Sequence, residues 1–372
     1  MLPFQVAVAL LGFAAAALLA LRGTAAILVY HLVFAVGMVP LILAAMLHFV
    51  PVLARAANPP RAIRALPVVA LGGGLLVAGF FAFPRWLPHG LLLGGTLIVA
   101  AVAMLAAWSL RLRMRAIGTP HPGLDWYLAA MACLLLALLA VLAGQFIPGQ
   151  RAALRLLHLH LNTLGFIGIT ALGTLQVLLP TSANRSDPDA APRMRRQLKW
   201  AAAGALFIAC GAAWQPWLAW GGLLALAALV LAIARAWRQL YAHEIFAWHG
   251  ATPSLAAALL GYAATLALGA AHGSHAGSLN PVAMFIVAFL MPLVTGAASQ
   301  LLPLWLRPGR QTVWHRSARA RLGYGGATRA LMFLAAGSAV ATGQHWGWPL
   351  ALLGASFFMA QALSLILEKS SA

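Results

Sequence analysis

The stretch HLHLNTLGFIGITALGTLQVLLP, residues 158–180, is an apolar run that begins with two histidines, at 158 and 160, and ends at a proline, at 180. A helix that crosses a bilayer needs about 20 mostly apolar residues, so this stretch predicts a transmembrane helix. Two further apolar stretches also end at a proline: HLVFAVGMVPLILAAMLHFVP at 31–51 and AMFIVAFLMPLVTGAASQLLP at 283–303. In each stretch a proline follows the start of the repeat by 20 residues, at His31 and Pro51, His160 and Pro180, and Ala283 and Pro303. These starts are 129 and 123 residues apart, close to a third of the 372-residue chain, which predicts three internal repeats.

Composition places the whole chain in a membrane. Hydrophobic residues make up 63% of it and charged residues only 8%, and its mean hydropathy is +0.90. Soluble domains carry about 25% charged residues, so soluble enzymes, disordered tails and nucleic-acid-binding modules are excluded. The two cysteines lie inside apolar runs and no Cys-x-x-Cys-His motif occurs. A disulfide framework and covalently attached heme are therefore excluded as well.

Cutting the chain at its proline, glycine and arginine clusters gives twelve candidate spans. They cover residues 3–21, 27–53, 65–83, 89–110, 125–147, 153–179, 199–213, 217–236, 253–271, 281–305, 328–343 and 347–367. The sequence therefore predicts an all-α integral membrane protein with twelve transmembrane helices in three pseudo-symmetric arcs of four. We expect a single transmembrane domain over residues 1–372, with repeats at approximately 1–120, 121–248 and 249–372.

The basic residues predict the orientation of these spans. Lysine and arginine concentrate in cytoplasmic loops, and 20 of the 24 here fall on one side of the predicted spans. The four on the other side are Arg22, Arg85, Arg151 and Arg155. Both termini are then cytoplasmic, and the net charge of +19 indicates topology and contact with a lipid bilayer. Arginine outnumbers lysine 22 to 2, which favours a GC-rich bacterial source and hence a bacterial inner membrane.

The histidines are the strongest candidates for chemistry. His158 and His160 are two residues apart, so on a helix their rings point about 200° apart and serve two different compartments. His31 is the repeat equivalent of His160 and is expected at the same depth, near the outer face. Histidine inside a membrane span is costly unless paired, and neutral imidazole is a common ligand of heme iron and copper. We therefore take these three residues as candidate ligands of heme iron or copper.

Other residues complete the candidate site. Gly165 and Gly168 follow the histidine pair within two turns, where small residues would let a planar ring approach the backbone. Arg151 and Arg155 precede it by one to two turns and suit pairing with heme propionates. His272 and His275, three apart in a predicted outer loop, are a candidate copper site.

The five carboxylates argue against one class of function. All lie in or beside predicted cytoplasmic loops, at Asp125, Asp187, Asp189, Glu244 and Glu368. Ion pumps and proton-coupled transporters usually place ionisable acids at mid-membrane. Proton pumping is therefore not expected.

The stretch from His158 to Pro180 resembles the His-x-His helix of cytochrome oxidase catalytic subunits in the heme-copper oxidase superfamily. The second span, with its histidine at 31 and its HFVP at 48–51, looks like the helix of that superfamily that carries a low-spin heme ligand. Size and helix count are more similar to the NnrS family, which is linked to nitric oxide stress. The pattern also departs from the oxidases: the His-x-His lies on the sixth span and not the tenth, and the tenth has Ala283 where a histidine would stand.

The resemblance implies one or two hemes b, and it leaves copper open. With arcs rotated relative to the oxidases, His158 would match the high-spin heme ligand and His160 the low-spin one, and His31 would be its second axial ligand or a copper ligand. The implied function is the handling of electrons or of a diatomic gas, nitric oxide or oxygen, near the periplasmic face. A reductase-like activity and a periplasmic electron donor are both open.

Two other functions fit the sequence in part. A cofactor-free multi-pass transporter would explain the internal repeats and the proline-broken spans at Pro40 and Pro292. A heme or copper assembly factor would need the same ligands but no open coordination site. Visible absorption separates the transporter from the other two, and gas binding separates the heme protein that handles a gas from the assembly factor.

Overall fold

The described part of the chain folds into helices joined by turns and loops. The computed structural model describes residues 1–274 and 279–370, and no β-strand occurs among them. Twelve long helices, here called α1 to α12, follow one another in this described part. Their bounds are Leu2–Leu21, Ala26–Ala54, Leu66–Ala82, Gly90–Arg115, Gly123–Ala143, Pro148–Ser182, Ala190–Ala213, Pro216–Ile245, Thr252–Gly273, Pro281–Leu306, Gly326–Ala341 and Gly347–Ser370. Two shorter helices, Arg61–Arg64 and Val313–Gly323, lie between long ones.

Ten of these helices, α1 to α6, α8 to α10 and α12, are long and apolar enough to cross a membrane. The chain is therefore a multi-pass membrane protein. The other two coincide with the predicted seventh and eleventh spans. Helix α7 begins earlier than its predicted span, in a basic stretch that lowers its hydropathy, and α11 has only 16 residues.

Helix α7 lies along the pair formed by α5 and α6. Near its start, the indole N–H of Trp126 in α5 donates to the carbonyl of Met194 at 3.1 Å. Just beyond its end, the indole N–H of Trp214 donates to Oε1 of Gln150, at the start of α6, at 3.2 Å. Since α5 ends where α6 begins, these two bonds lie at opposite ends of α5. Helix α7 therefore extends along the full length of α5.

Helix α11 has the same relation to α9 and α10. The hydroxyl of Ser254, in the first turn of α9, donates to the carbonyl of Gly326 at 3.2 Å, where α11 begins. The N–H of Asn280, just before α10, donates to the carbonyl of Ala341 at 2.9 Å, where α11 ends. The start of α9 and the start of α10 are separated by the length of α9. The 16 residues of α11 therefore extend along the full length of α9.

Three helices contain a buried π-helical segment. The segments are Leu32–Met38 in α2, Leu161–Gly168 in α6 and Phe285–Leu290 in α10. They begin one residue after His31, one after His160 and two after Ala283, which are the starts predicted for the three repeats. A π segment inside an α-helix is rare and is frequent at functional sites.

Proline explains two of the three π segments. Pro40 and Pro292 each lie in the first turn of the α-helix that follows, nine residues after the repeat start. Proline has no N–H to donate and its ring clashes with the carbonyl four residues earlier, so a wider turn before it relieves both problems. The corresponding position in α6 is Ile169, and its π segment instead contains Gly165 and Gly168.

The described chain forms two compact units. The first contains residues 1–13, 25–174 and 188–229, and the second contains residues 14–24, 175–187 and the described residues from 230 onward. In the first unit α3 approaches the π segment of α2 closely at a small residue: a Cβ on Gly74 of α3 would overlap the carbonyl of Ala35. In the second unit, a Cβ on Gly261 of α9 would likewise overlap the carbonyl of Ala288. Both π segments are thus held by backbone packing.

Candidate functional site

Residues Arg151–His160 of α6 form an amphipathic helix. At 100° per residue, Arg151, Arg155 and His158 lie within about 60° of one another and His160 lies on the opposite face. The sequence expectation that the two histidines point in different directions thus agrees with the helical backbone. The Nδ1 atom of His158 lies 3.0 Å from the carbonyl of Ala137, so its face is turned toward α5.

The three histidine rings share one hydrogen-bonding arrangement. Nδ1 of His31 lies 2.7 Å from the carbonyl of Ile27, and Nδ1 of His160 lies 2.9 Å from the carbonyl of Leu156. Together with the bond from His158, each Nδ1 therefore donates a proton to a backbone carbonyl. Within the described ranges, no partner is found for the Nε2 atom of any of the three. A ring bound in this way keeps the Nε2 lone pair free, as metal-ligating histidines do.

A positive charge on His158 would act electrostatically on His31. Both rings are partly buried. The ring of His31 also packs on Phe81 of α3, with 4.6 Å between ring centroids, which fixes its orientation. The sequence matched His31 with His160 by repeat position, whereas in the structure the electrostatic interaction of His31 is with His158.

Buried polar side chains continue from the histidines into α6. Asn162 and Thr163 lie in the π segment and Thr170 in the turn after it, and all three are buried. The hydroxyl of Thr163 donates to the carbonyl of Leu159 at 2.7 Å. Neither Oδ1 of Asn162 nor Oγ1 of Thr170 has a hydrogen-bond partner in the described part of the chain. Orphaned buried polar atoms are uncommon in folded proteins, where a water or a bound group usually satisfies such an atom.

Asn162 and Thr170 were missed by the reasoning from sequence. A signal was present, because asparagine is costly in an apolar span unless it has a partner. Tyr262 of α9 is also fully buried, against Phe285 and Phe289 of the π segment in α10.

The two arginines of α6 have different surroundings. Arg151 is exposed and donates from Nη2 to Oε1 of Gln145 at 3.1 Å. Arg155 is exposed too, and its guanidinium has no ion-pair or hydrogen-bond partner among the described residues. Arg155 precedes His158 by three residues on the same face, so it is the better placed of the two to meet an anionic group beside that histidine.

The expected role of Gly165 is wrong. A Cβ on this residue would come within 2.8 Å of Cβ of Cys133, so the space beside it is filled by α5. The glycine lets two helices approach and leaves no room there for a planar ring. Gly168 is also buried in the π segment.

The predicted copper site is described only in part. His272 is exposed near the end of α9, and His275 lies outside the described residues. Within residues 1–274 and 279–370, no group of three or more His, Cys, Asp or Glu side chains could hold a metal ion. Heme needs only one or two protein ligands, so its candidate ligands are His31, His158 and His160.

Comparison with known proteins gives no family. No protein-family model matches the chain, and no curated protein matches it significantly.

Proposed function

We propose that this protein binds heme b through His31, His158 and His160, as a distant member of the heme-copper oxidase superfamily. The observation that carries the proposal is that all three rings bond a backbone carbonyl through Nδ1 and leave Nε2 free. The orphaned Oδ1 of Asn162 supports a bound group beside them. Heme iron bound at Nε2 would supply electron transfer and, where one axial position is open, gas binding.

The electrostatic interaction of His31 with His158 supports a specific assignment. His31 and His158 would together hold one heme, which would supply electron transfer. His160, on the opposite face of α6, would hold a second heme, which would supply binding of nitric oxide or oxygen. Arg155, and less directly Arg151, would pair with the propionates of the first heme.

The proposal includes the setting of these hemes. We infer twelve membrane spans in three repeats of four, with both termini in the cytoplasm of a bacterium and the histidine ends of α2 and α6 toward the periplasm. The three π segments at equivalent repeat positions support the repeats, and the end-to-end contacts of α7 and α11 support the two extra spans. In this setting a periplasmic donor would deliver electrons, and a reductase-like activity on the bound gas is the enzyme to assay.

The test is a reduced-minus-oxidised visible spectrum of protein purified in detergent, with and without carbon monoxide. The unsubstituted protein is expected to show b-type bands and a shift of part of its spectrum with gas. His31→Ala and His158→Ala should each lose the low-spin band. His160→Ala should keep that band and lose the gas-induced shift. Elemental analysis of the same samples counts iron and copper.

His345→Ala is the matched control, because His345 is an exposed histidine in the loop before α12. Its spectrum should equal that of the unsubstituted protein. A protein that stays colourless after reconstitution with heme would overturn the proposal and favour the transporter. Heme bands without any gas-induced shift would point to the assembly factor.

A further inference from the structure

A cleft of about 390 Å³ opens in the first unit where α2 ends and where α5 and α7 begin. Its lining includes Leu53 and Arg55 at the end of α2, Thr119 and His121 before α5, and Arg195 in the first turns of α7. By the charge pattern this is the cytoplasmic end of all three helices, opposite to the histidine ends of α2 and α6. The cleft is therefore separate from the proposed heme site.

Hydrogen bonds fix the walls of this cleft. The N–H of His121 donates to the carbonyl of Leu53 at 3.1 Å, which joins the α5 side to the end of α2. Arg195 donates from Nη2 to the carbonyl of Pro120 at 3.4 Å, which joins α7 to the same loop. Nδ1 of His121 accepts the N–H of Gly123 at 3.1 Å. The proton of the neutral ring then sits on Nε2, which is a hydrogen-bond donor.

The cleft concentrates positive charge. Arg55 and Arg195 are both exposed, and neither forms an ion pair with any described residue. Asp125, the acidic residue nearest in sequence to His121, pairs with Arg113 instead. Burial lowers the pKa of His121, and the positive charge of Arg195 lowers it further. Two guanidinium groups that form no ion pair and a neutral imidazole donor thus face a space whose described lining carries no acid.

The backbone of Arg55 supports a role for its side chain. This residue caps the end of α2 in the left-handed conformation, with φ 52° and ψ 44°. Glycine or asparagine usually fills that position, because a Cβ is strained there. The turn alone does not explain an arginine.

We propose that this cleft binds one phosphate group, which accepts charge-assisted hydrogen bonds from Arg55 and Arg195 and a third bond from Nε2 of His121. Guanidinium groups match the geometry of phosphate oxygens and remain charged at every physiological pH. The cleft opens at a membrane edge, where the phosphate of an anionic lipid headgroup and that of a soluble ester are both within reach. The chemistry recognised is the same in the two cases.

The test measures both sources on the purified full-length protein in neutral detergent. One arm is equilibrium dialysis with radiolabelled inorganic phosphate. The other is titration with short-chain phosphatidic acid, with phosphatidylcholine as the uncharged comparison. We expect saturable binding of one phosphate per chain in at least one arm, and the arm that binds identifies the source. Arg195→Gln and Arg55→Gly should each weaken it about tenfold or more.

Arg55→Gly guards against misfolding, because glycine relieves the strained turn while it removes the charge. Arg196→Gln is the matched control: it removes the same charge from the next residue of α7, which is exposed and does not line the cleft. Its affinity should stay within about twofold of the unsubstituted protein. The proposal is overturned if neither arm saturates, or if Arg196→Gln weakens binding as much as Arg195→Gln.

Discussion

Two buried tyrosines differ by one hydrogen bond. The hydroxyl of Tyr127 lies 3.2 Å from Oγ1 of Thr174, whereas the hydroxyl of Tyr262 is buried and has no partner within the described ranges. A buried hydroxyl that makes its bond contributes about 1 kcal/mol to stability, and one that makes none carries a desolvation cost. The same substitution should therefore act in opposite directions at the two positions.

Tyr127→Phe is expected to lower the free energy of unfolding by about 1 kcal/mol. Tyr262→Phe should leave it unchanged or raise it, because the ring contacts with Phe285 and Phe289 are kept. Thermal unfolding of the purified proteins in one detergent compares the two directly. An equal loss of stability in both variants would mean that the Tyr262 hydroxyl has a partner in the folded protein.

At the level of elements, the π segments depend on close helix contacts. Gly74 of α3 contacts the backbone of Ala35 in the π segment of α2 so tightly that a Cβ would overlap it. Gly72, two residues earlier on the same helix, has nothing within 4 Å of the corresponding position. Overpacking a well-packed contact costs about 1–3 kcal/mol, and alanine is a better helix former than glycine by about 1 kcal/mol.

Gly74→Ala is therefore expected to reduce stability, and Gly72→Ala to preserve or raise it. The two proteins differ only in where one methyl group lies, so each is the control of the other. The yield of folded protein in size-exclusion chromatography and the unfolding temperature measure both effects. If Gly74→Ala is as stable as Gly72→Ala, there is room for a methyl group between α3 and the π segment of α2, and the close contact of Gly74 with Ala35 is wrong.

Much of this element-level order could be predicted from the sequence. The repeat starts at His31, His160 and Ala283 came from proline spacing, and the π segments begin within two residues of each. The π turns themselves could not be predicted, because Ile169 in α6 occupies the position that proline holds in α2 and α10. The π segment of α6 instead contains Gly165, where a Cβ would meet Cys133 of α5, and such packing partners are not visible in one sequence.

The candidate site was predictable to a lesser extent. Helical geometry alone separates His158 from His160, and apolar surroundings alone draw attention to His31. Nothing in one sequence says that His31 interacts electrostatically with His158, since that depends on how α2 and α6 pack in the first unit. The Nδ1 bonds were equally out of reach, as the bond of His158 to Ala137 joins residues 21 positions apart.

At the scale of the whole molecule, the decisive question is whether α7 and α11 cross the membrane. Hydropathy favours ten spans, because α7 begins with basic residues and α11 is short. The contacts favour twelve: Trp214 reaches Gln150 at one end of α7, and Trp126 reaches Met194 at the other. A helix that extends along all of a spanning neighbour is long enough to cross the same thickness of bilayer, which is the basis for proposing twelve spans. Twelve spans also keep both termini on one side, as ten would, so the termini alone cannot decide between them.

Single cysteines placed before and after α7 and α11 can show whether each of these two helices crosses the membrane. In a background with Cys133→Ala and Cys210→Ala, Gln215→Cys and Ser186→Cys flank α7, and both positions are exposed. Gln344→Cys and Gln311→Cys do the same for α11. The reagent is a membrane-impermeant maleimide, added to cells with a permeabilised outer membrane. With twelve spans, it should label the cysteines at positions 215 and 344 in these cells. It should label the cysteines at positions 186 and 311 only after the cells are lysed. Equal labelling of 186 and 215 in intact cells would instead mean that α7 stays on one side, and the threefold repeat would then fail in its second copy.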